Sequence, residues 1–596
     1  MSYFFDIASA FYACWRVPLI LTAVLAFVAS AYASSRPSII VVIADDLGWG
    51  DLSCHGNENL STPNLDALRT QGASFDHFYV QPVCAPTRAE LLTSCYAPRV
   101  GVTGVTAGTE RLEQGVRTIA DALRDAGYAT AAFGKWHNGT QAPFHPLCRG
   151  FDTFYGFTSG HWPDYFAPML DRDGAITRGS GFLPDDITNE TLRFIRAQRN
   201  QPFFALVAFN TPHSPMQVPD RWWRVHAEQT LTQRGTDAER EKPLHTRAAL
   251  AMCENLDWNV GRIVEALDRW AIASNTIVVF LSDNGPNGHR FNGGMRGIKG
   301  STDEGGVRSP LFVRWPGMVA AKTSISAPSA AIDIGPTLAE LAGFSLDPNK
   351  KIDGLSLAPL LLGQPEERDE RTLFSHWAGR TAVRRGSMLL DDGGRLYDLS
   401  KDPQQSKDLS AEQPQIAREL RSEIAAWRND CLPLSPTKPQ PFTVGHLDLE
   451  STQLPVRDAN CSTGIRRSNR HKNSTYFTDW TSTDDLIHWD VDVVASGRFK
   501  AIVHYTCTQG DVGSLVELRF VSEKCRAKVE PEFDPPLTAA LNDRFPRQEG
   551  DMKKFLPLEL GEISLVAGRG KLTLQAVEIA GSQVMDLRLL ELVRLD

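Results

Sequence analysis

Four short apolar runs each lead into side chains that can do chemistry. Ser38 to Ala44 runs into Asp45-Asp46, Tyr128 to Phe133 into Gly134-Lys135-Trp136-His137, Phe203 to Phe209 into Asn210-Thr211-Pro212-His213, and Thr276 to Leu281 into Asp283-Asn284. Singly, each has an ordinary explanation, because an Asp pair after a strand is commonly a turn or helix cap and a lone histidine is commonly structural. Jointly they form a set. Three carboxylates and an amide offer the hard oxygen ligands that Ca²⁺ or Mg²⁺ takes, and converging carboxylates repel unless something cationic sits between them. A lysine and two imidazoles add anion binding and proton transfer. The stretch Cys84-Ala85-Pro86-Thr87-Arg88 adds a nucleophile. Pro86 suits the first turn of a helix, which places Cys84 near a helix N-terminus where backbone N–H groups favour an anion, with Arg88 one turn on as a fixed guanidinium. A buried or disulfide-bonded cysteine is the other reading of Cys84.

In open α/β sheets ligands bind at the carboxyl ends of the strands, which is where these residues fall. From Ser38 to about Gly343, apolar runs alternate with amphipathic stretches, the pattern of an α/β domain whose mainly parallel sheet is sandwiched by helices. One helix opens at Thr62-Pro63, another runs through Arg117 to Ala126 and stops at Gly127, and a long one covers about Thr246 to Trp270. Residues 372 to 428 read as short strands and then one helix, a small α+β subdomain. Cys431 to Gln440 carries three prolines and reads as a stiff linker. Beyond it, HWDVDVV, FKAIVHYTC, GSLVELRFV, GKLTLQAVEI and VMDLRLLELV alternate without a helical period, which argues for an antiparallel β-sandwich.

The expected division is therefore a signal peptide at 1–33, a catalytic α/β domain at 37–360, an α+β subdomain at 361–430, a linker at 431–444 and an appended all-β sandwich at 445–596. The sandwich is expected to fold independently and to bind a polysaccharide. Trp480 and Trp489 are candidate stacking platforms for sugar, with strand core as the competing role.

The chain has 596 residues, and its 62 Lys+Arg against 71 Asp+Glu give a formal charge of −9. That offers no global basic field, so nucleic acid is not expected as a partner. The apolar run Val17 to Ala33 follows Arg16 and ends in Ala31-Tyr32-Ala33, a signal-peptide pattern that predicts export to the periplasm or outside the cell, with no stable membrane span after cleavage. An uncleaved anchor is the alternative. The ten cysteines include no CxxC pair, against zinc-finger or thioredoxin chemistry. Cys507 and Cys525 are the first expectation for a disulfide, and Cys95 is another cysteine open to pairing.

At these residues the sequence resembles the type I sulfatases of the alkaline phosphatase superfamily, whose signature is C-x-P-S/T/A-R-x-x-x-L/M-T-G. Cys84, Pro86, Thr87, Arg88, Leu92 and Thr93 match it. ADDLGWGDL at 44–52, TPNLDALRTQGASF at 62–75, GKWH at 134–137, TPHSP at 211–215, SDNG at 282–285, GIKGSTDEGGVRSP at 297–310 and LYDLSKDP at 396–403 follow in the family's order. The resemblance implies that a maturase oxidises Cys84 to Cα-formylglycine, whose hydrated gem-diol attacks sulfur. It implies Ca²⁺ held by Asp45, Asp46, Asp283 and Asn284 together with the modified Cys84. Arg88, Lys135 and Lys299 look like the stabilisers of sulfate charge, His213 like the group that protonates the leaving alcohol, and His137 like the group that helps expel sulfate. Two positions depart from the pattern: Ser94 stands where the family usually has Gly, and Cys95 where a basic residue is common.

The function expected from all this is a secreted calcium-dependent sulfatase acting on a sulfated carbohydrate. A phosphonate or phosphate monoester hydrolase of the same superfamily is the alternative within the fold, and a non-catalytic carbohydrate-binding protein the alternative outside it. Substrate selectivity is expected in the insertions Asn138 to Phe166 and Met216 to Glu241. His145, Arg149, His161, Trp162 and Tyr165 are candidates to line a sugar subsite or to pack the loop.

Overall fold

The computed structural model describes residues 36–347, 351–364, 371–432 and 440–596. The signal peptide expected at 1–33 and residues 433–439 of the expected linker lie outside the described residues. No helix of the described residues is long and apolar enough to cross a membrane.

Ten strands form the central sheet: β1 (Ser38–Asp45), β2 (Ala73–Phe75), β3 (Ala129–Lys135), β4 (Thr153–Phe157), β5 (Met169–Arg172), β6 (Ala175–Arg178), β7 (Phe203–Pro212), β8 (Thr276–Ser282), β9 (Leu311–Arg314) and β10 (Thr323–Ile325). Their order is β10-β2-β9-β8-β1-β7-β3-β4-β5-β6. The centre, β8-β1-β7-β3-β4, is parallel, and antiparallel strands flank it. All eight residues of β1 are buried because both faces are covered. Ile39, Val41 and Ile43 point to one core, where the helices Cys84–Thr93, Ile119–Asp125 and Ile334–Ala342 pack. Ile40, Val42 and Ala44 point to the other, under Pro63–Thr70, Leu183–Gln198 and Pro243–Arg269.

Local chemistry sets the helix ends. Thr118 and Asp121 form a reciprocal capping box at the start of Ile119–Asp125. The helix Cys84–Thr93 stops at Ser94, which adopts a left-handed φ of 61°. That conformation explains why glycine suits position 94, and Ser94 carries its side chain there at a steric cost. Its hydroxyl faces Gly335, where an added Cβ would lie 2.0 Å from the Ser94 oxygen. Neighbouring Cys95 is free, its thiol donating to the Thr93 and Lys351 carbonyls.

A four-stranded antiparallel sheet, Thr372–Trp377, Arg380–Arg385, Met388–Leu390 and Leu396–Asp398, packs against the helix Pro414–Cys431. Cys431 therefore ends a helix and does not begin a linker. Past the linker, two sheets enclose a core that includes Trp480 and Trp489, at 1% and 0% exposure. Neither tryptophan offers a face to a sugar, which corrects that expectation. On their strands and turns they point inward, as alternation permits. Cys507 and Cys525 are both buried and both free, so the expected disulfide is not formed; Cys507 instead donates to the Thr508 carbonyl.

The sandwich is not isolated from the catalytic lobe. Phe545 packs against the core under Pro243–Arg269, with its ring edge-on to His245 at 5.1 Å. Gln217 donates to Asp543 (2.9 Å), Arg544 to the Val218 carbonyl (2.9 Å) and Arg547 to the Pro163 carbonyl (2.8 Å). From the other side Gln141 donates to the Gln453 carbonyl (2.9 Å), and Gln453 to Asp171 (3.0 Å). A proline count at residues 431–440 carries no information about these contacts.

Candidate active site and metal centre

The residues expected to do chemistry cluster at the carboxyl edge of β1, β3, β7 and β8, all of them buried except the part-buried Lys299. At the end of β1 the register with β7 shifts between Ile43 and Asp45, and Asp46 takes a left-handed φ of 66°. That break turns two consecutive carboxylates inward instead of to opposite faces. Asp45 accepts a 2.7 Å hydrogen bond from Lys135, which ends β3, and Asp46 a 2.6 Å contact from Lys299. Asp283, just past β8, accepts from the Asp46 backbone N–H at 3.1 Å and from Arg88 Nε and Nη2 at 3.1 and 2.9 Å. Asn284 donates to Asp46 at 2.7 Å.

The oxygen atoms left over are the test for a cation. Asp45 Oδ1 and Asn284 Oδ1 are buried without hydrogen-bond partners. Asp45, Cys84 and Asp283 present ligand atoms within 4.8 Å of one another, as do Asp45, Asp46 and His213. A carboxylate-rich donor set with two orphaned oxygens fits a hard divalent ion.

Charge in the pocket is strongly redistributed. Burial would raise Asp46, but Lys299, His213, Lys135 and the Asn284 amide outweigh it and hold that carboxyl well below its usual range. Burial and the neighbouring Asp45 carry Asp283 up to about 6 in spite of the Arg88 guanidinium. Burial also lifts the Cys84 thiol above its ordinary value against the pull of Lys135 and Lys299. A thiol held neutral is a poor nucleophile, so the unmodified side chain is badly suited to attack from this position. The helix prediction for this segment is met: Cys84 opens Cys84–Thr93 with Pro86 in its first turn.

The two histidines are locked in defined tautomers by carbonyls, which only accept. His137 Nε2 donates to the Val105 carbonyl at 2.8 Å, leaving Nδ1 buried and unpartnered, while burial and the nearby Lys135 hold the ring well below the usual histidine range. Its left-handed φ of 65° and the missing Cβ of Gly160, which would sit 2.1 Å from Nε2, make room for the ring. His213 Nδ1 donates to the Ser214 carbonyl at 2.6 Å, so Nε2 faces Asp46 at 3.7 Å. Burial and Lys299 push His213 down to about 4, against the pull of Asp46.

Beside the expected residues stand Arg290 and Glu549, which the sequence did not single out, and His161, one of the candidates from the first insertion. Arg290 is paired with Asp51 at 2.6 Å and donates to the Asp46 carbonyl, fixing the strained turn from behind. His161, from the first insertion, stands 5.5 Å ring to ring from His213. Glu549, from the sandwich, approaches His161 Nδ1 at 3.5 Å, and the left-handed Gly550 beside it leaves the space a Cβ would take 2.6 Å from His161 Nε2. Burial would raise Glu549, but His161, His213, His471 and Lys299 hold it below the usual carboxylate range. The other loop candidates pack the loop: His145 bonds Asp171, Arg149 donates to the Val116 and Leu112 carbonyls, Trp162 stacks on Phe157, and Tyr165 donates to the Ser214 carbonyl.

The sequence model of the sulfatase family matches residues 37–344. Human steryl-sulfatase is 32% identical over 444 residues, covering 61% of this chain and 75% of the relative. Human arylsulfatase A is 32% identical over 448 residues, covering 67% and 84%. Among solved structures, Ps i-CgsB in complex with k-i-k-neocarrahexaose superposes with a TM-score of 0.60 at 28% identity, over 66% of this chain and 93% of that one.

Proposed function

Since the chain belongs to the sulfatase family and is a sulfuric ester hydrolase, we propose that it is an exported, calcium-dependent sulfatase that hydrolyses a sulfate ester of a glycan through a formylglycine made from Cys84. The observation that carries this reading is the convergence of Asp45, Cys84 and Asp283 on one point, walled by Arg88, Lys135 and Lys299. The glycan part rests on likeness to Ps i-CgsB, whose structure holds a neocarrahexaose. The proposed division of the chain keeps the catalytic domain at 37–360, carries the α+β subdomain to Cys431, where its helix ends, and starts the sandwich at Phe442 rather than 445, because the strand Phe442–Val444 pairs with Leu486–Val493.

Asp45, Asp46, Asp283 and Asn284 would hold the ion, which would supply Lewis-acid charge for a sulfate group. The aldehyde-derived side chain supplies the oxygen nucleophile that a neutral thiol cannot. Lys135 and Lys299 flank Asp45 and Asp46, so a sulfate group lying against them is stabilised by both ammoniums. An anion in that place also offsets the push of Lys299 on His213 and favours its protonated form. His213 Nε2 then gives its proton to the leaving oxygen, while His137 Nδ1 is left as an unpartnered proton acceptor.

His213→Ala is expected to slow hydrolysis of sugar sulfates by about 10²- to 10⁴-fold, the usual worth of a general acid, and aryl sulfates far less, because a phenolate scarcely needs the proton. Steady-state rates on both classes check this, and equal losses contradict the acid role. Asp283→Asn and Asp45→Asn are each expected to weaken Ca²⁺ binding and turnover together, since each removes a ligand charge. Calorimetric Ca²⁺ titration alongside activity reads both. Full activity in chelated, metal-free enzyme sinks the calcium site. The direct test of the nucleophile is the mass of the peptide containing Cys84, which reports conversion of its thiol-bearing carbon to an aldehyde with loss of the sulfur.

A further inference from the structure

Arg588, on the sandwich strand Asp586–Arg594, is a part-buried arginine without an anion. Its guanidinium lies 5.6 Å from the centre of the Trp162 ring and 5.8 Å from that of Phe555. Among the described residues no carboxylate comes within ion-pair distance of it and no acceptor takes its N–H groups. Burial and the like charge of Arg457 pull it down to about 10, and Asp164 offsets this only weakly. Its N–H groups keep some contact with solvent and point into a cleft, so the charge is open to an incoming anion.

Arg588 and Arg457 line the same narrow cleft between the catalytic lobe and the sandwich, with Thr158, Asn473, Ser474 and Thr475. Arg457 is tied to Thr140 and lies 3.5 Å from Asp458, so one positive charge in the cleft remains uncompensated. The free interior is about 40 Å³. At roughly 10–15 Å³ per water that is room for about three waters, enough for one tetrahedral oxyanion or carboxylate and too little for a sugar ring. The cleft adjoins the catalytic pocket along one loop: Thr158 and Trp162 flank His161, the Ser474 hydroxyl donates to the His161 carbonyl at 3.0 Å, and the His161 ring faces His213.

We propose that this cleft is a second anion subsite, which takes a sulfate or carboxylate substituent of the glycan other than the ester being hydrolysed, so that the substrate is a multiply charged saccharide. This rests on the glycan sulfatase reading. The planar fork of Arg588 matches either oxyanion, and the two sources are separable by probe.

Calorimetry with sucrose octasulfate and with unsulfated trigalacturonate, on wild type, Arg588→Met and Arg588→Lys, tests it. Arg588→Met is expected to melt no lower than wild type, because it removes an unpaired charge. It is expected to weaken binding of at least one probe by about tenfold or more, with Arg588→Lys intermediate. Turnover of p-nitrophenyl sulfate should stay unchanged, since Arg588 touches nothing in the catalytic pocket. Dependence on Arg588 with the first probe alone assigns sulfate, and with the second, carboxylate. Equal affinities in wild type and Arg588→Met for both probes, or a lowered melting temperature with unchanged affinity, overturn the subsite. The calorimetry reads binding, so absence of any sulfatase turnover would count against the hydrolytic mechanism and leave this result standing.

Discussion

Cys84→Ala protein is expected to turn over aryl sulfates at least about 10³-fold more slowly than wild type, the scale of losing a covalent nucleophile. It is expected to do so while still folded. Cys84 is buried but lies outside the apolar clusters, at the first residue of its helix, so losing one sulfur leaves a small void worth roughly 1 kcal/mol. Initial rates paired with thermal melting separate the two effects. A folded Cys84→Ala enzyme that works at the wild-type rate would remove Cys84 from the reaction and with it the formylglycine reading.

The second large effect concerns the sandwich. Deleting residues 441–596 is expected to yield aggregated protein, or protein at least about 10²-fold slower even on a small aryl sulfate. Truncation bares the apolar surface that Phe545 covers, strands the partners of Arg544 and Arg547, and takes Glu549 from beside His161. His161 would then face solvent next to His213, and the wall of the pocket on that side would be gone. Size-exclusion chromatography and p-nitrophenyl sulfate rates on the truncated chain check this. A soluble monomer with undiminished turnover would show that the sandwich is a separate module after all. Glu549→Gln in the full chain keeps the packing and is expected to change the rate without changing the melting temperature.

The central sheet was readable because its signals are local. An eight-residue strand buried on both faces has to be apolar throughout, and Ser38–Asp45 is such a run until its last residue. The long helix was read at Thr246 to Trp270 and stands at Pro243–Arg269, its start marked by the proline rather than by the apolar period. The disulfide was misread because two cysteines flanking one strand-like stretch looked close, whereas Cys507 faces the core near Phe533 and Cys525 pairs across from Leu518. Strand neighbours are chosen by the whole sheet, and sequence spacing carries no information about that choice.

What the sequence determined by itself was the order of elements and the reactive residue types at the carboxyl ends of four strands, together with the helix that Cys84 opens. Parallel β-α-β connection brings such ends to one edge, so residues hundreds of positions apart could be assigned to one pocket without coordinates. Only the tertiary structure decided which oxygens are left unpartnered, which nitrogen of each histidine is free, and that Glu549 and Arg588 of the sandwich reach the catalytic lobe. Those depend on the packing of irregular loops and on charge balance in a dry interior. Neither leaves a periodic trace in the chain, because each is fixed by contacts between segments whose own conformations carry no preference for one another.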